Sequence, residues 1–278
     1  MTRLACVSAF AWLALLAMTL SACGDEVTTG EPATTAYEGP LHVTRDQAVH
    51  PGAGAAGDVV DCTTWGSGTF ASTTPYGSGA TADSPAAALE VARSEAAFNG
   101  ALDGLLVARE EADRVLYVVE VDGVVKQAVI VHDGPATDGA GGAGWYVESS
   151  AHCDEAELPA SYADNVGLQV WRDSEGRIAP TTRIASYEGP EHCDWQSMTF
   201  LYLDEASNAY VREPQADLGE FFRASYDDHA ELPAGAVDTG YEHDGEHLWL
   251  APDKDIAYVG TPDDVEAWPR TRRPLLCA

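Results

Sequence analysis

Residues 114–132 read RVLYVVEVDGVVKQAVIVH. Two runs rich in β-branched and aromatic residues, Arg114–Val121 and Val124–His132, flank Asp122-Gly123. Such residues pack well on a pleated surface, and Asp-Gly supplies the two positive-φ positions that a type I′ turn needs. The reading is an antiparallel hairpin closed by a two-residue turn. That turn pairs Val121 with Val124 and, in regular register, Val119 with Lys126, Tyr117 with Ala128 and Val115 with Ile130. The alternate positions, among them Val118, Leu116 and Val129, are also largely apolar, so both faces of the hairpin call for cover.

Cover for one face lies just upstream. Asp83 or Ser84 can cap a helix, Pro85 suits its first turn, and Ala86–Phe98 is Ala-rich with Leu89 and Val91 before Asn99-Gly100 stops it. Downstream, Gly134–Gly144 reads as a loop and Trp145–Ser150 as a third strand ending at Cys153. In the second half, strands are expected at Gly167–Arg172, Met198–Leu203, Ala209–Arg212, His247–Leu250 and Ile256–Val259. Asp217–Ser225 reads as a short helix, Asp244-Gly245 as a second hairpin turn and Pro252-Asp253-Lys254 as a further turn. The expected fold class is α+β, mainly antiparallel β-sheet with one or two short helices.

Composition sets the surroundings of that fold. The 278 residues carry 45 Asp+Glu against 15 Lys+Arg, a formal net charge of -30. A nucleic-acid partner is excluded, because phosphate neutralisation needs a basic surface. Docking on anionic headgroups by charge is disfavoured for the same reason. The apolar fraction of 45% and aromatic fraction of 9% exceed those of a disordered acidic chain.

Outermost is the N-terminus. Arg3 precedes an uncharged apolar run, Ala5–Leu20, that is shorter than the roughly 20 residues of a membrane span. It ends in Leu20-Ser21-Ala22-Cys23, which resembles the lipobox of bacterial lipoproteins. The resemblance covers residues 1–23 and implies a signal peptide over residues 1–22, with Cys23 lipidated and left as the first mature residue. Removing that peptide takes away Arg3 and no acid, so the charge moves to -31 on the remaining 256 residues. The implied partner is the membrane, through a lipid anchor on its outer face. Two further segments, Gly189–Gln196 and Leu248–Asp253, together with Arg over Lys by 13 to 2, resemble uncharacterised lipoproteins of high-GC Gram-positive bacteria. No activity travels with that likeness.

Between anchor and fold, residues 23–57 are rich in Thr, Gly, Ala and Pro, and Pro51–Gly57 has no periodicity. They read as a flexible tether, roughly 30–35 Å in root-mean-square span, with Tyr37–Val43 docking as an edge strand. The expected organisation is a signal peptide at 1–22, the tether at 23–57, an α+β module at 58–158 and a β-rich module at 159–278. Trp65–Ala82 reads as a Gly/Ser/Thr loop. Tyr37–His42 resembles Tyr187–His192 at an offset of 150 residues; the residues that follow align poorly, which favours chance and biased composition over a repeat that opens each half.

Cysteines stand at 6, 23, 62, 153, 193 and 277. With Cys6 in the signal peptide and Cys23 lipidated, an oxidising compartment makes two disulfides the expectation for the other four. Of three pairings, Cys62–Cys153 with Cys193–Cys277 is preferred, because each bridge then staples one half. Loops of roughly 85–90 residues would contribute about 4 kcal/mol each.

Motifs for chemistry are sparse. Trp65-Gly-Ser67-Gly and Tyr76-Gly-Ser78-Gly lack the first glycine of a nucleophile elbow, and there is no Ser-x-x-Lys, Walker loop or His-Glu-x-x-His. His152-Cys153-Asp154 and His192-Cys193-Asp194 suggest metal ligands, but oxidised sulfur is no thiolate. His243 and His247 flank a hairpin turn and so face opposite ways. Asp227-Asp228-His229 and Asp263-Asp264 match no calcium-loop spacing. Trp145, Trp171 and Trp249 lie in strand patterns and read as core, while Trp195 is expected to pack on a disulfide. No catalytic residue, metal or cofactor is assigned. The reading is an anchored extracytoplasmic module for binding or envelope interaction with an unidentified protein or envelope ligand. The alternative is an envelope hydrolase using carboxylates or one of His132, His152 and His192.

Overall fold

In the computed structural model, residues 32–70, 81–94, 101, 103–135, 143–204 and 206–277 are described. The signal peptide, Cys23, the first residues of the tether and the end of the helix after Ser94 lie outside them. Asp122 and Gly123 both take positive φ, and the turn joins β3 (Arg114–Val121) to β4 (Val124–Pro135). Around this hairpin the chain adds β1 (Trp65–Phe70), β2 (Leu106–Glu110) and β5 (Ala143–Cys153), giving an antiparallel sheet of order β1-β5-β4-β3-β2.

Val121 pairs with Val124, but beyond the turn the register differs by one from a regular hairpin. Val119 faces Gln127, Tyr117 faces Val129 and Val115 faces Val131. The irregularity lies at Val119/Glu120 and leaves Lys126 without an opposite residue. A bulge of this kind re-aims one side chain. Here the Lys126 ammonium reaches the Asp61 carbonyl and the Glu157 carboxylate, each at 2.8 Å.

Both faces of the sheet are covered. On one, Tyr117, Val129 and Val131 pack with Ala88 and Leu89 of α1 (Pro85–Ser94), where Ser84 Oγ accepts from the Ala87 N–H as an N-cap. On the other, Leu116, Val118, Ala128 and Ile130 pack against Leu41, Ala53, Ala55 and Ala56.

That second cover corrects the tether. Residues 33–57 are not a flexible spacer: Leu41 and Val43 are buried, and Ala53 and Ala56 are fully so. The small residues read as flexibility are what let a 3-10 turn, Gly54–Asp58, close on the sheet; a Cβ on Gly68 would lie 2.4 Å from that of Ala53. Tyr37–Val43 forms no strand. The edge contact is at Pro32, bridged in parallel to Val107 of β2, with the Ala33 N–H donating to the Val107 carbonyl. Trp65–Phe70 is likewise strand rather than loop.

The second half holds two more antiparallel sheets. After α2 (Ala160–Val166) come β6 (Leu168–Gln169), β7 (Ile184–Glu188), β8 (Thr199–Leu203) and β9 (Tyr210–Arg212), in that spatial order. Then β10 (Asp227–Ala230), β11 (Val237–His243), β12 (Glu246–Leu250), β13 (Ile256–Thr261) and β14 (Asp264–Pro269) make a sheet of order β10-β14-β13-β12-β11. Trp171, Ile184, Leu201 and Tyr210 meet Leu248, Val259 and Trp268 in one core between them. Strands β7, β10 and β14 exceed the sequence reading, β11 is the first arm of the expected Asp244-Gly245 hairpin, and Asp217–Ser225 forms a 3-10 turn, Ala216–Phe221, rather than an α-helix. The fold is α+β with antiparallel sheet predominating.

Candidate functional site

The structure pairs Cys62 with Cys153 and Cys193 with Cys277, with Cα separations of 5.2 and 5.6 Å. Near the first bridge, Glu157 is buried and accepts from Lys126 Nζ at 2.8 Å, Thr63 N at 3.0 Å and Thr64 N at 2.6 Å. Burial alone would raise its pKa, but these donors hold it below the usual carboxylate range. Asp154 accepts from Thr181 N and Oγ1, and Tyr187 donates to Glu155, so this corner also binds the two halves together.

Two of the three histidines weighed from sequence sit in hydrogen-bonded arrangements. His132 Nδ1 lies 2.9 Å from the Tyr146 hydroxyl. Beside it, buried Glu148 takes Arg114 Nε at 2.9 Å and Nη2 at 3.1 Å, and His42 Nδ1 stands 3.0 Å from the same carboxylate. Burial, reinforced by the Arg114 charge, lowers the His132 pKa, while burial and then Glu148 raise that of Tyr146. Both Glu148 oxygens are engaged, and His42 belongs to the segment that covers the sheet, so this cluster clamps that segment.

His152 is arranged differently. It is buried on β5, and its cross-strand neighbour on β1 is the exposed Ser67. His152 Nδ1 lies 2.7 Å from the Cys153 carbonyl, which can only accept, so Nδ1 carries a hydrogen. A neutral ring then turns its Nε2 lone pair to the Ser67 hydroxyl, 2.9 Å away. A hydroxyl, a base and a group that orients the base are the elements of an activated nucleophile. Gly66 fits between Trp65 and Ser67 because a Cβ there would come 2.3 Å from that same Cys153 carbonyl. Sequence reading missed the pair because 85 residues separate its members and Ser67 lay in a presumed loop.

His192 is exposed on a 3-10 turn, Glu191–Cys193, beside the second disulfide. Its ligand atom and the two sulfurs lie within 4.8 Å of one another, but both sulfurs are committed to the S–S bond. Beside this bridge lies an apolar groove of about 420 Å³, lined by Trp195, Leu218, Phe221, Pro274, Leu275 and Leu276 together with Arg273. Trp195 packs with Cys193 and Cys277 in one cluster. The Arg273 guanidinium lies over the Phe221 ring, 5.0 Å from its centroid.

The remaining sequence candidates separate. His243 Nδ1 donates to the Val170 carbonyl at 3.0 Å and the ring tilts on Trp171, while His247 tilts on Trp249 on the opposite face. β10 pairing with β14 brings His229 within 3.7 Å of Asp264, on an exposed rim. Trp171, Trp195, Trp249 and Trp268 are buried, and Trp65 stacks on His50. Among the described residues no helix is long and apolar enough to cross a membrane. Compared with known protein families, curated proteins and solved structures, the chain matches none.

Proposed function

We propose that this chain is a lipid-anchored extracytoplasmic protein at the outer face of the cell membrane and that its folded body is a binding module. The anchor rests on Leu20-Ser21-Ala22-Cys23 and on cysteine usage suited to an oxidising compartment. The observation that carries the binding reading is the groove beside Cys193–Cys277. Its volume, about 420 Å³, falls in the range of small-ligand sites, and its lining is aromatic and aliphatic with one charged group. Metabolic labelling with a palmitate analogue tests the anchor: label is expected on the native chain and not on Cys23→Ala, and equal labelling of both defeats it. An environment-sensitive apolar dye tests the groove. Its emission is expected to rise with the native chain and to lose most of that rise with Leu218→Asp.

A second reading, an envelope hydrolase, is favoured by the Ser67–His152 pair. In that reading Ser67 Oγ attacks an acyl carbon while its proton passes to Nε2, and the leaving alkoxide takes that proton as the old C–O bond breaks. Water then releases the acyl group by the same route. A fluorophosphonate probe decides: an adduct on Ser67, lost in His152→Gln, supports it, and an unlabelled native chain removes it.

A further inference from the structure

The groove's lining also indicates what kind of molecule it takes, and this step rests on the binding reading above. Its wall is apolar, so the part of the ligand that enters must be a hydrocarbon. The single charged residue in its lining is Arg273. In a chain with three times as many acids as bases, cations usually find carboxylates, and Arg109, Arg114, Arg177, Arg183, Arg212 and Arg223 all do. Arg270, Arg272 and Arg273, within four residues of one another, have no carboxylate within ion-pair distance among the described residues. Arg270 stacks over Tyr210, Arg272 Nε donates to the Phe222 carbonyl, and Arg273 rests on Phe221.

From the apolar wall and a guanidinium with no carboxylate partner among the described residues we infer that the groove binds a single-chain acyl carboxylate, its hydrocarbon against Trp195, Leu218 and Leu275 and its carboxylate on Arg273. A planar guanidinium is the side chain best matched to a carboxylate, and stacking on an aromatic face does not use up its N–H donors. Cys193–Cys277 fixes the tail that forms one wall, so the groove is in place before the ligand arrives. The competing attraction is also visible. Asp217 and Glu220 are exposed on the turn that carries Leu218 and Phe221, and they favour a cationic head instead.

The experiment exposes cells producing the full chain to three matched photoreactive probes, a diazirine-bearing dodecanoate, the corresponding dodecanol and the corresponding dodecyl trimethylammonium. Crosslinked peptides are then mapped. The carboxylate is expected to label peptides containing Trp195, Leu218 or Leu275, with half-saturation about tenfold below that of the alcohol, and Arg273→Gln is expected to erase that preference. Arg273 is exposed, so this variant leaves the fold intact. If the alcohol or the ammonium probe labels the groove as well as the carboxylate does, or Arg273→Gln changes nothing, the ligand class is wrong while the groove remains a binding site. If none of the three labels the groove, the binding reading falls with it.

Discussion

The two disulfides close loops of similar length, 91 and 84 residues, yet they staple different kinds of structure. Cys153 ends β5, which lies between β1 and β4, and it is completely buried beside a carboxylate with three donors. Cys193–Cys277 pins a strandless tail across an apolar groove. Equal loops restrict the unfolded chain equally. The difference lies in what each bridge holds in the folded state, hydrogen-bonded sheet in one case and the wall of an open groove in the other.

The largest effect follows from that contrast. Replacing Cys62 and Cys153 with alanine is expected to lower stability by about 4–5 kcal/mol, read from the denaturant midpoint of tryptophan fluorescence. Replacing Cys193 and Cys277 is expected to cost about half as much. The freed tail gains motion in the folded state and so recovers part of the entropy difference. Equal losses would show that unfolded-chain entropy alone sets the value of both bridges.

Ion pairs sharpen the same comparison. Lys126→Ala leaves buried Glu157 with its backbone donors only, at an expected cost of about 3 kcal/mol. The Arg212–Glu266 pair joins β9 to β14 with good geometry, at 2.7 and 2.8 Å, but its side chains are 41% and 23% exposed. Solvent screening limits Arg212→Ala to about 1 kcal/mol or less. Comparable losses from the two would remove the distinction between a sealed corner and a wetted sheet edge.

Leu41 tests the cover on the first sheet and shows where sequence reading stops. Leu41→Ala is expected to cost about 2–3 kcal/mol, as a filled core position does, and almost nothing if residues 33–57 were a tether. The hairpin, its helix and the antiparallel character were legible because Asp-Gly turns and β-branched runs act locally. The packing of Pro51–Gly57 was not, because small residues signal both freedom and close approach, and only the facing Gly68 decides between them. The bulge at Lys126 is set by a partner 31 residues away, and the Ser67–His152 pair by register across 85. Of the candidate sites, the cysteine pairing could be reasoned from sequence. The groove could not, since Trp195, Phe221 and Arg273 meet only when the tail folds back.

The smallest effect concerns acid. Burial, with Arg114 beside it, depresses the His132 pKa below its ordinary value of about 6.5. The folded state therefore binds fewer protons than the unfolded one in that range, so this contribution is complete above about pH 7 and declines as pH falls from 6.5 toward the folded pKa. Glu157, whose pKa is also lowered, acts in a separate window: its contribution holds above about pH 4.3 and is lost below. Amide exchange followed from pH 7 to 5 should thus quicken in β3 and β4, where His132 is anchored, before acid reaches the Glu157 window. His132→Gln should flatten that first decline without moving the second. If β12 and β13 quicken in parallel and the variant changes nothing, the acid response belongs to the whole chain's charge and not to this cluster.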